Sequence, residues 1–306
     1  MKEITGIIKE YYHGVNKPIL ILCTLFTAVL IWLNYQYHLE YELISRIRLP
    51  LSGFFGHFFI YMVAFAFPHL LLFLIRKKNS SINPGFWVCL IAGPVIFAVK
   101  VSMDTNVNVS ANSQWNSYWN DIVYWPMRMI VMVAILIICR KLFYKDNALF
   151  GLSAKKINYS PYLIMLLIMV PLIAAASTQP DFLAVYPKMK MVLPLPDDAN
   201  PNLFYKLLFQ LSYGSDFFSI EIFFRGFLII GFMKWVGKDA ILPMACFYCT
   251  IHFGKPLGEC ISSYFGGLLL GIISYHTRTV YGGLLVHLGI AWLMELGGYI
   301  GNVLRQ

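Results

Sequence analysis

Charged residues are scarce in this chain of 306 residues, at 13% of the total, while 58% of its residues are hydrophobic. Soluble globular proteins have about 25% charged residues. At half that fraction, a chain of this length has too few charges to cover a surface in water, so much of its apolar surface must face lipid. Acidic residues are the scarcer kind, and the formal net charge is +9. The basic residues lie in short clusters between apolar runs, which is typical of membrane proteins and argues against nucleic-acid binding.

The six cysteines lack the spacing of a secreted disulfide framework. Cys246 and Cys249 form a C-x-x-C pair followed by His252, a pattern that also occurs in metal and redox sites. Our interpretation is that these cysteines are small apolar residues that fill positions between helices. The chain also lacks H-E-x-x-H and G-x-S-x-G, the motifs of common zinc and serine hydrolases. The first apolar run has no signal-peptidase motif and is predicted to be retained as a first span.

Long apolar runs dominate the rest of the chain. A bilayer core needs roughly 20 apolar residues per helix. We predict an all-α, polytopic transmembrane helical bundle of eight or nine spans, because the run 239–254 is short and one alternative divides the run 205–234 at Gly214. The candidate spans are 18–35, 52–75, 85–101, 122–143, 161–177, 205–234, 239–254, 258–275 and 279–300.

Charge in the connections predicts the orientation. Residues 76–78 contribute +3 and residues 140–156 contribute +4, whereas the connections that alternate with these two are near neutral or acidic. The positive-inside rule then places the amino terminus and both basic connections in the cytoplasm of a multi-pass cell-membrane protein. We predict three parts: N-terminal transmembrane helices in residues 1–177, an extracytoplasmic loop in 178–202, and a functional core in 203–306.

Ionisable residues concentrate in that last part, within or beside apolar runs. A charged side chain at the centre of a membrane helix costs about 2.5–3.5 kcal/mol on insertion scales, so such groups persist when they pair or line a wet cavity. Glu221 and Arg225 are four residues apart and can pair on one helix face, either as a structural ion pair or as part of a site. His252 and His287 lie on the next spans. We predict that these spans share one functional site.

The residue types indicate hydrolysis. A carboxylate kept from bulk water can act as a general base, a histidine beside it can help to deprotonate water, and a second histidine can donate to an oxyanion. No serine or cysteine is placed beside a histidine as a nucleophile. The alternative is a zinc site whose ligands are His252, His287 and Glu221. Both mechanisms stay open: no cofactor, or zinc.

Three motifs in this part resemble the CPBP family, the Abi or type II CAAX prenyl endopeptidase-like intramembrane proteases. That family shows E-E-x-x-x-R, F-x-x-x-H and H-x-x-x-N in this order on successive membrane helices. The chain has I-E-I-F-F-R-G from Ile220, Y-C-T-I-H from Tyr248 to His252, and H-L-G-I-A from His287. The resemblance covers roughly residues 203–300.

The resemblance implies an intramembrane endopeptidase of CPBP type that hydrolyses peptide bonds with an activated water. Glu221 and His252 would polarise the water, and His287 would steady the oxyanion. The implied partners are membrane lipid and a peptide or protein substrate, prenylated or not, and no nucleic acid. Three further residues are predicted to support the site: Arg225, Glu259 and Glu295.

Two departures from the family pattern leave other functions open. The first family glutamate falls on Ile220, and the last asparagine falls on Ala291. Either Glu221, Glu259 or Glu295 supplies the carboxylate, or the chain is a catalytically degenerate member that acts as a membrane scaffold or binds a partner. A third hypothesis is a transporter with a proton relay, which predicts internal repeats that the sequence does not show.

Overall fold

The computed structural model of the chain describes residues 2–45, 51–76, 83–144, 150–152, 157–192 and 203–305. These residues form helices, and none of them lies in a β-strand. The α-helices are α1 Lys2–Gly14, α2 Lys17–Tyr37, α3 Ser52–Arg76, α4 Pro84–Ser102, α5 Ser113–Phe143, α6 Ser160–Ala176, α7 Pro180–Val185, α8 Leu203–Glu221, α9 Met233–Val236, α10 Ile241–Thr250, α11 Leu257–Thr277 and α12 Tyr281–Val303. A π-helix, Ile222–Gly231, continues α8 directly.

Each predicted span coincides with helix in the structure. Six helices of the described residues are long and apolar enough to cross a bilayer: α2, α3, α4, α5, α11 and α12. Helix α6 is apolar but shorter, at 17 residues. The all-helical, multi-pass membrane architecture is therefore confirmed, whereas the count of eight or nine spans is not.

The chain packs as two compact units, of which the first contains Met1–Ser102, Ala134–Lys155 and Ile222–Val280. Its centre is α10, in which every side chain is buried. Helix α10 contacts α2, α3, α11 and the π-helix. This helix has ten residues and is about 15 Å long, half the thickness of a bilayer core. The run 239–254 thus contains a short helix that is buried within this unit.

The second unit contains Met103–Val133, Lys156–Glu221 and Tyr281–Gln306. Helix α12 packs here against α6, α7 and α8. Glycines allow these close contacts: a Cβ on Gly289 would lie 2.6 Å from a methyl carbon of Leu166, and one on Gly298 would lie 2.6 Å from backbone atoms of Tyr186 and Pro187. Small residues commonly permit such approach between membrane helices.

Three details of local structure go beyond what the sequence predicts. Helix α8 runs through Gly214 without a break, because this glycine accommodates Leu288 of α12. The polar segment 103–121 already contains the start of α5, at Ser113. The segment 178–202 contains α7, which has a proline in its first turn, and a 3₁₀ turn at Lys188–Met191.

The predicted division into 1–177, 178–202 and 203–306 stays a prediction, because the two units describe packing and not functional parts. The connections at 46–50, 77–82, 145–149, 153–156 and 193–202 lie outside the described residues. Much of the basic charge that predicts the orientation falls in these connections, and the orientation also stays a prediction.

Candidate active site

A buried carboxylate and an imidazole pair in the second unit. Glu221 is the last residue of α8, and none of its surface is exposed. Its Oε1 lies 3.0 Å from Nδ1 of His287 on α12. The side chain of His287 is 13% exposed. The pair therefore joins two helices at a point that is almost sealed from the surroundings.

Two neighbours fix the geometry of this pair. The ring of Phe217, one turn before Glu221, contacts the His287 ring edge-to-face at 4.7 Å between centroids. Gly283 lies one turn before His287, and a Cβ there would overlap Oε2 of Glu221. The glycine thus gives the carboxylate its room beside α12. Residues 217 and 221 on α8, and 283 and 287 on α12, have the i, i+4 spacing that places each pair on one helix face.

In the first unit, Arg225 lies in the π-helix that follows Glu221, and its side chain is fully buried. The guanidinium carbon is 4.3 Å from the centre of the Tyr248 ring on α10. A desolvated cation–π contact of this kind contributes about 2 kcal/mol or more. π-Helices are rare and frequently occur at functional sites. The predicted ion pair between Glu221 and Arg225 stays a prediction.

His252 lies in the turn between α10 and α11, four residues after Tyr248. Its Nδ1 is 3.1 Å from the backbone carbonyl oxygen of Tyr248, and the two rings contact edge-to-face. Backbone bonds shape the turn, from the His252 N–H to Cys249 and from the Lys255 N–H to the His252 carbonyl. Tyr248 therefore contacts both Arg225 and His252.

The two histidines have different hydrogen-bond partners, which sets what each can do. A carbonyl oxygen only accepts, so the bond to Tyr248 requires that Nδ1 of His252 carries a proton, and Nε2 of the neutral ring is then an acceptor. The partner of His287 is a carboxyl group, which can balance a positive imidazolium. In that form Nε2 of His287 is a donor. His252 of the first unit thus presents an acceptor, and the charged form of His287 in the second unit presents a donor.

The other two candidate carboxylates have separate roles. Glu259 lies in the first turn of α11, and its carboxylate is 3.9 Å from the Lys255 ammonium. Glu295 accepts bonds from the Lys188 backbone N–H at 2.6 Å and from Nε2 of Gln210 at 3.1 Å. Glu295 is two helical turns beyond His287, about 12 Å along α12. Its contacts anchor α8 and the 3₁₀ turn.

The cysteines and the proposed zinc ligands do not form a metal centre among the described residues, where no group of three or more His, Cys, Asp and Glu side chains is arranged to hold one. Cys246 is bonded to Thr27, and the Cys249 sulfur lies 3.9 Å from that of Cys260. All six cysteines are buried free thiols, as their interpretation as packing residues predicts. The described residues therefore give no support to the zinc alternative.

Residues 207–293 match the family model described as type II CAAX prenyl endopeptidase Rce1-like. This segment is an Rce1-like domain. The match confirms the resemblance to the CPBP family and contains Glu221, Arg225, His252, Glu259 and His287. Comparisons with curated proteins and with solved structures gave no match. Residues 1–206 and 294–306 lie outside the matched segment, so the domain assignment concerns the matched part alone.

Two positions of the Rce1-like domain carry apolar residues where the resemblance implies catalytic ones. Ile220 is buried, and so is Ala291 on α12. Sequence reasoning found both, together with the histidines. It did not find Phe217 or Gly283, because neither residue has a polar side chain that would distinguish it within an apolar run. The signal for Gly283 was its place one turn before His287 in G-G-L-L-V-H.

Proposed function

We propose that the chain is an intramembrane endopeptidase that hydrolyses peptide bonds with an activated water, at a site formed by Glu221, His252 and His287. The observation that carries this proposal is the buried bond between Glu221 and His287 inside a segment that matches a membrane peptidase family. A carboxylate and an imidazole on neighbouring helices are expensive to bury without a use for them. The substrates would be membrane peptides or proteins, and the proposal includes prenylated ones.

We assign the roles by the partner of each histidine. His252, whose Nδ1 proton is held by a neutral carbonyl, accepts a proton from water at Nε2. The resulting hydroxide attacks the carbonyl carbon of the scissile bond. His287 in its charged form, balanced by Glu221, donates from Nε2 to the developing oxyanion. The leaving amine then takes its proton from His252, which returns to the neutral form.

The test is cleavage by purified protein in lipid nanodiscs, with prenylated and unprenylated membrane peptides as substrates. His252→Ala and His287→Ala should each lower kcat by about 10²–10⁴-fold, the usual contribution of a general acid or base. Glu221→Gln should also lower kcat, because a neutral amide cannot balance the imidazolium. His276→Ala, a histidine of α11 outside the proposed site, is the control and should keep full activity.

Coupling between the histidines is a further requirement of this proposal. When two residues act in the same step, removing both raises the activation free energy by far less than the sum of the two single increases. The double variant His252→Ala/His287→Ala should therefore be hardly slower than the worse single variant. Unchanged cleavage in either single variant would show that these histidines do not carry the reaction. Activity that survives chelator treatment would agree with a metal-free mechanism.

A second candidate function is favoured by Ile220 and Ala291, both apolar and buried at positions where the family has a glutamate and an asparagine. In this case the chain binds a partner helix or peptide without cutting it. Wild-type protein would then bind membrane peptides without turnover. Under the endopeptidase proposal, the wild type itself cleaves, and Ile220→Glu and Ala291→Asn are not needed for activity.

A further inference from the structure

The turn that carries His252 is covered on one side by a carboxylate from elsewhere in the first unit. Glu40 follows the end of α2, and its carboxylate lies against Gly254. Gly254 has φ of +77°, a conformation that other residues rarely adopt, and a Cβ at this position would overlap the carboxylate. Both the backbone shape and the lack of a side chain at Gly254 thus accommodate Glu40.

Other groups near the end of α2 hold the same arrangement. The Tyr35 hydroxyl donates to the backbone carbonyl of Lys255 at 2.5 Å. The Asn34 side-chain oxygen accepts from the backbone N–H of Glu40 at 3.1 Å and so fixes the connection after α2. The charge of Lys255 acts on the Glu40 carboxyl. The turn is therefore braced at Gly254 and at Lys255, the second and third residues after His252.

A polar chamber of about 120 Å³ adjoins this contact. One water needs about 10–15 Å³ of such volume, so several waters fit. The lining includes Ile251 and Phe253, on either side of His252 in the chain. It also includes polar residues from the connection after α2, from α3 and from α10: Glu40, His57, Tyr61 and Thr250. Nδ1 of His57 donates to the Gly53 carbonyl at 2.7 Å. The Glu40 carboxylate thus lies between the turn and a chamber that has room for water.

The charged carboxylate of Glu40 does not stabilise the folded state at neutral pH. Burial raises the pKa of Glu40, and the nearby Lys255 opposes this shift only in part. A raised carboxyl pKa means that the folded state disfavours the charged form, so the cost is present above the folded pKa and absent below the unfolded one, near 4.3. A glutamine of the same size would avoid that cost at neutral pH.

We propose that Glu40 is a positioning residue for His252: it braces the 251–256 turn through Gly254 and Lys255 beside a water-filled chamber, and so holds the imidazole in its working orientation. The proposal rests on the proposed function for its consequence in catalysis. Its structural content is independent, because the brace concerns the backbone of the turn alone. The experiment therefore measures the turn and the reaction separately.

Local opening of the turn is measured by hydrogen–deuterium exchange of the full-length protein in nanodiscs. The reporting amides are those of His252, Phe253 and Lys255, which donate to the carbonyls of Cys249, Thr250 and His252, respectively. Glu40→Ala should speed their exchange by about tenfold, because exchange reports local opening. Glu40→Gln, which keeps the shape and polar atoms, should restore exchange to near the wild-type rate. Glu10→Gln, an exposed glutamate of α1, is the matched control.

The reaction is measured with the same variants. Glu40→Ala should lower kcat by about tenfold with KM unchanged, as expected when a reactive group is misplaced but substrate contacts remain. Glu40→Gln should recover most of the rate. Unchanged exchange in Glu40→Ala, or faster exchange throughout the protein, would overturn the brace. Faster exchange confined to the turn in a protein that cleaves no peptide would support the brace and contradict the proposed function.

Discussion

At the scale of single residues, Gly283 decides how closely the Glu221 carboxylate approaches α12. A methyl group at this position would overlap Oε2 of Glu221 and push the carboxylate from His287. We expect Gly283→Ala to lower kcat by about 100-fold, because a displacement of about 1 Å at a reacting group has an effect of this size. Overpacking adds a loss of about 1–3 kcal/mol in the free energy of unfolding. Peptide cleavage and thermal unfolding in detergent measure the two effects.

The control for this substitution is Gly266→Ala on α11, where a new Cβ meets no atom within 4 Å. Alanine is favoured over glycine in a helix interior by about 0.5–1 kcal/mol, so this variant should be as stable as wild type or slightly more stable. It should also retain full activity. If Gly283→Ala behaves like Gly266→Ala, the close approach of Glu221 has no importance for the reaction.

Glu295 is the residue for which structure and sequence suggest different roles. Both of its oxygens accept bonds, from the Lys188 backbone and from Gln210. In Glu295→Gln an amide nitrogen replaces one acceptor, so two donors face each other. We expect a loss of about 1–3 kcal/mol in stability. The kcat of the folded protein should not change. A lost turnover with unchanged thermal unfolding would instead identify Glu295 as the catalytic carboxylate.

The sequence could identify the polar half of the candidate site and not its surroundings. His252, His287 and Glu221 stand out because a titratable group in an apolar helix is costly and therefore informative. Phe217 and Gly283 are ordinary residues of membrane helices, and only the packing of α8 on α12 gives them a role. Which histidine accepts and which donates also depends on tertiary partners.

At the scale of helices, the packing of α11 on α10 positions Tyr248 between Arg225 and His252. A Cβ on Gly267 would lie 2.8 Å from Cδ1 of Tyr248, whereas the adjacent Gly266 faces open space. We expect Gly267→Ala to move the Tyr248 ring and lower kcat by about tenfold, with a stability loss of about 1–3 kcal/mol. Gly266→Ala is the matched control in the same helix turn. Equal behaviour of the two variants in cleavage and unfolding would show that this contact does not matter.

The helices themselves were predictable because apolar runs of bilayer length have few alternatives to helix. Local detail is harder to predict where tertiary contacts override a local signal. Gly214 has the weak helix propensity of a break, yet α8 continues because Leu288 packs against it. The segment 178–202 has five prolines, which are typical of a loop. Phe182, Leu183 and Tyr186 nevertheless form a buried cluster with Ile173 of α6.

At the scale of the whole molecule, helix ends in the first unit alternate between two sides. On one side, the end of α2 contacts the turn between α10 and α11, and the Glu40 chamber includes residues from the start of α3 and the end of α4. On the other, Lys234 after the π-helix donates to the carbonyl of Phe143, the last residue of α5. Successive helices of this unit thus run in opposite directions, and α10 follows the same alternation although it is short.

The number of crossings predicts the side of the membrane on which the residues after α12 lie. Nine spans are predicted from the sequence if α10, extended by the 3₁₀ turn Gly237–Ala240 and by the turn at 251–256, counts as a crossing. An odd number places residues after α12 opposite the amino terminus. With a cytoplasmic amino terminus, a green fluorescent protein fused after residue 306 should stay dark in a bacterial host, and alkaline phosphatase fused there should be active. Amino-terminal fusions should give the reverse. Fluorescence at both ends would mean an even number of crossings and a membrane-embedded α10 that does not span.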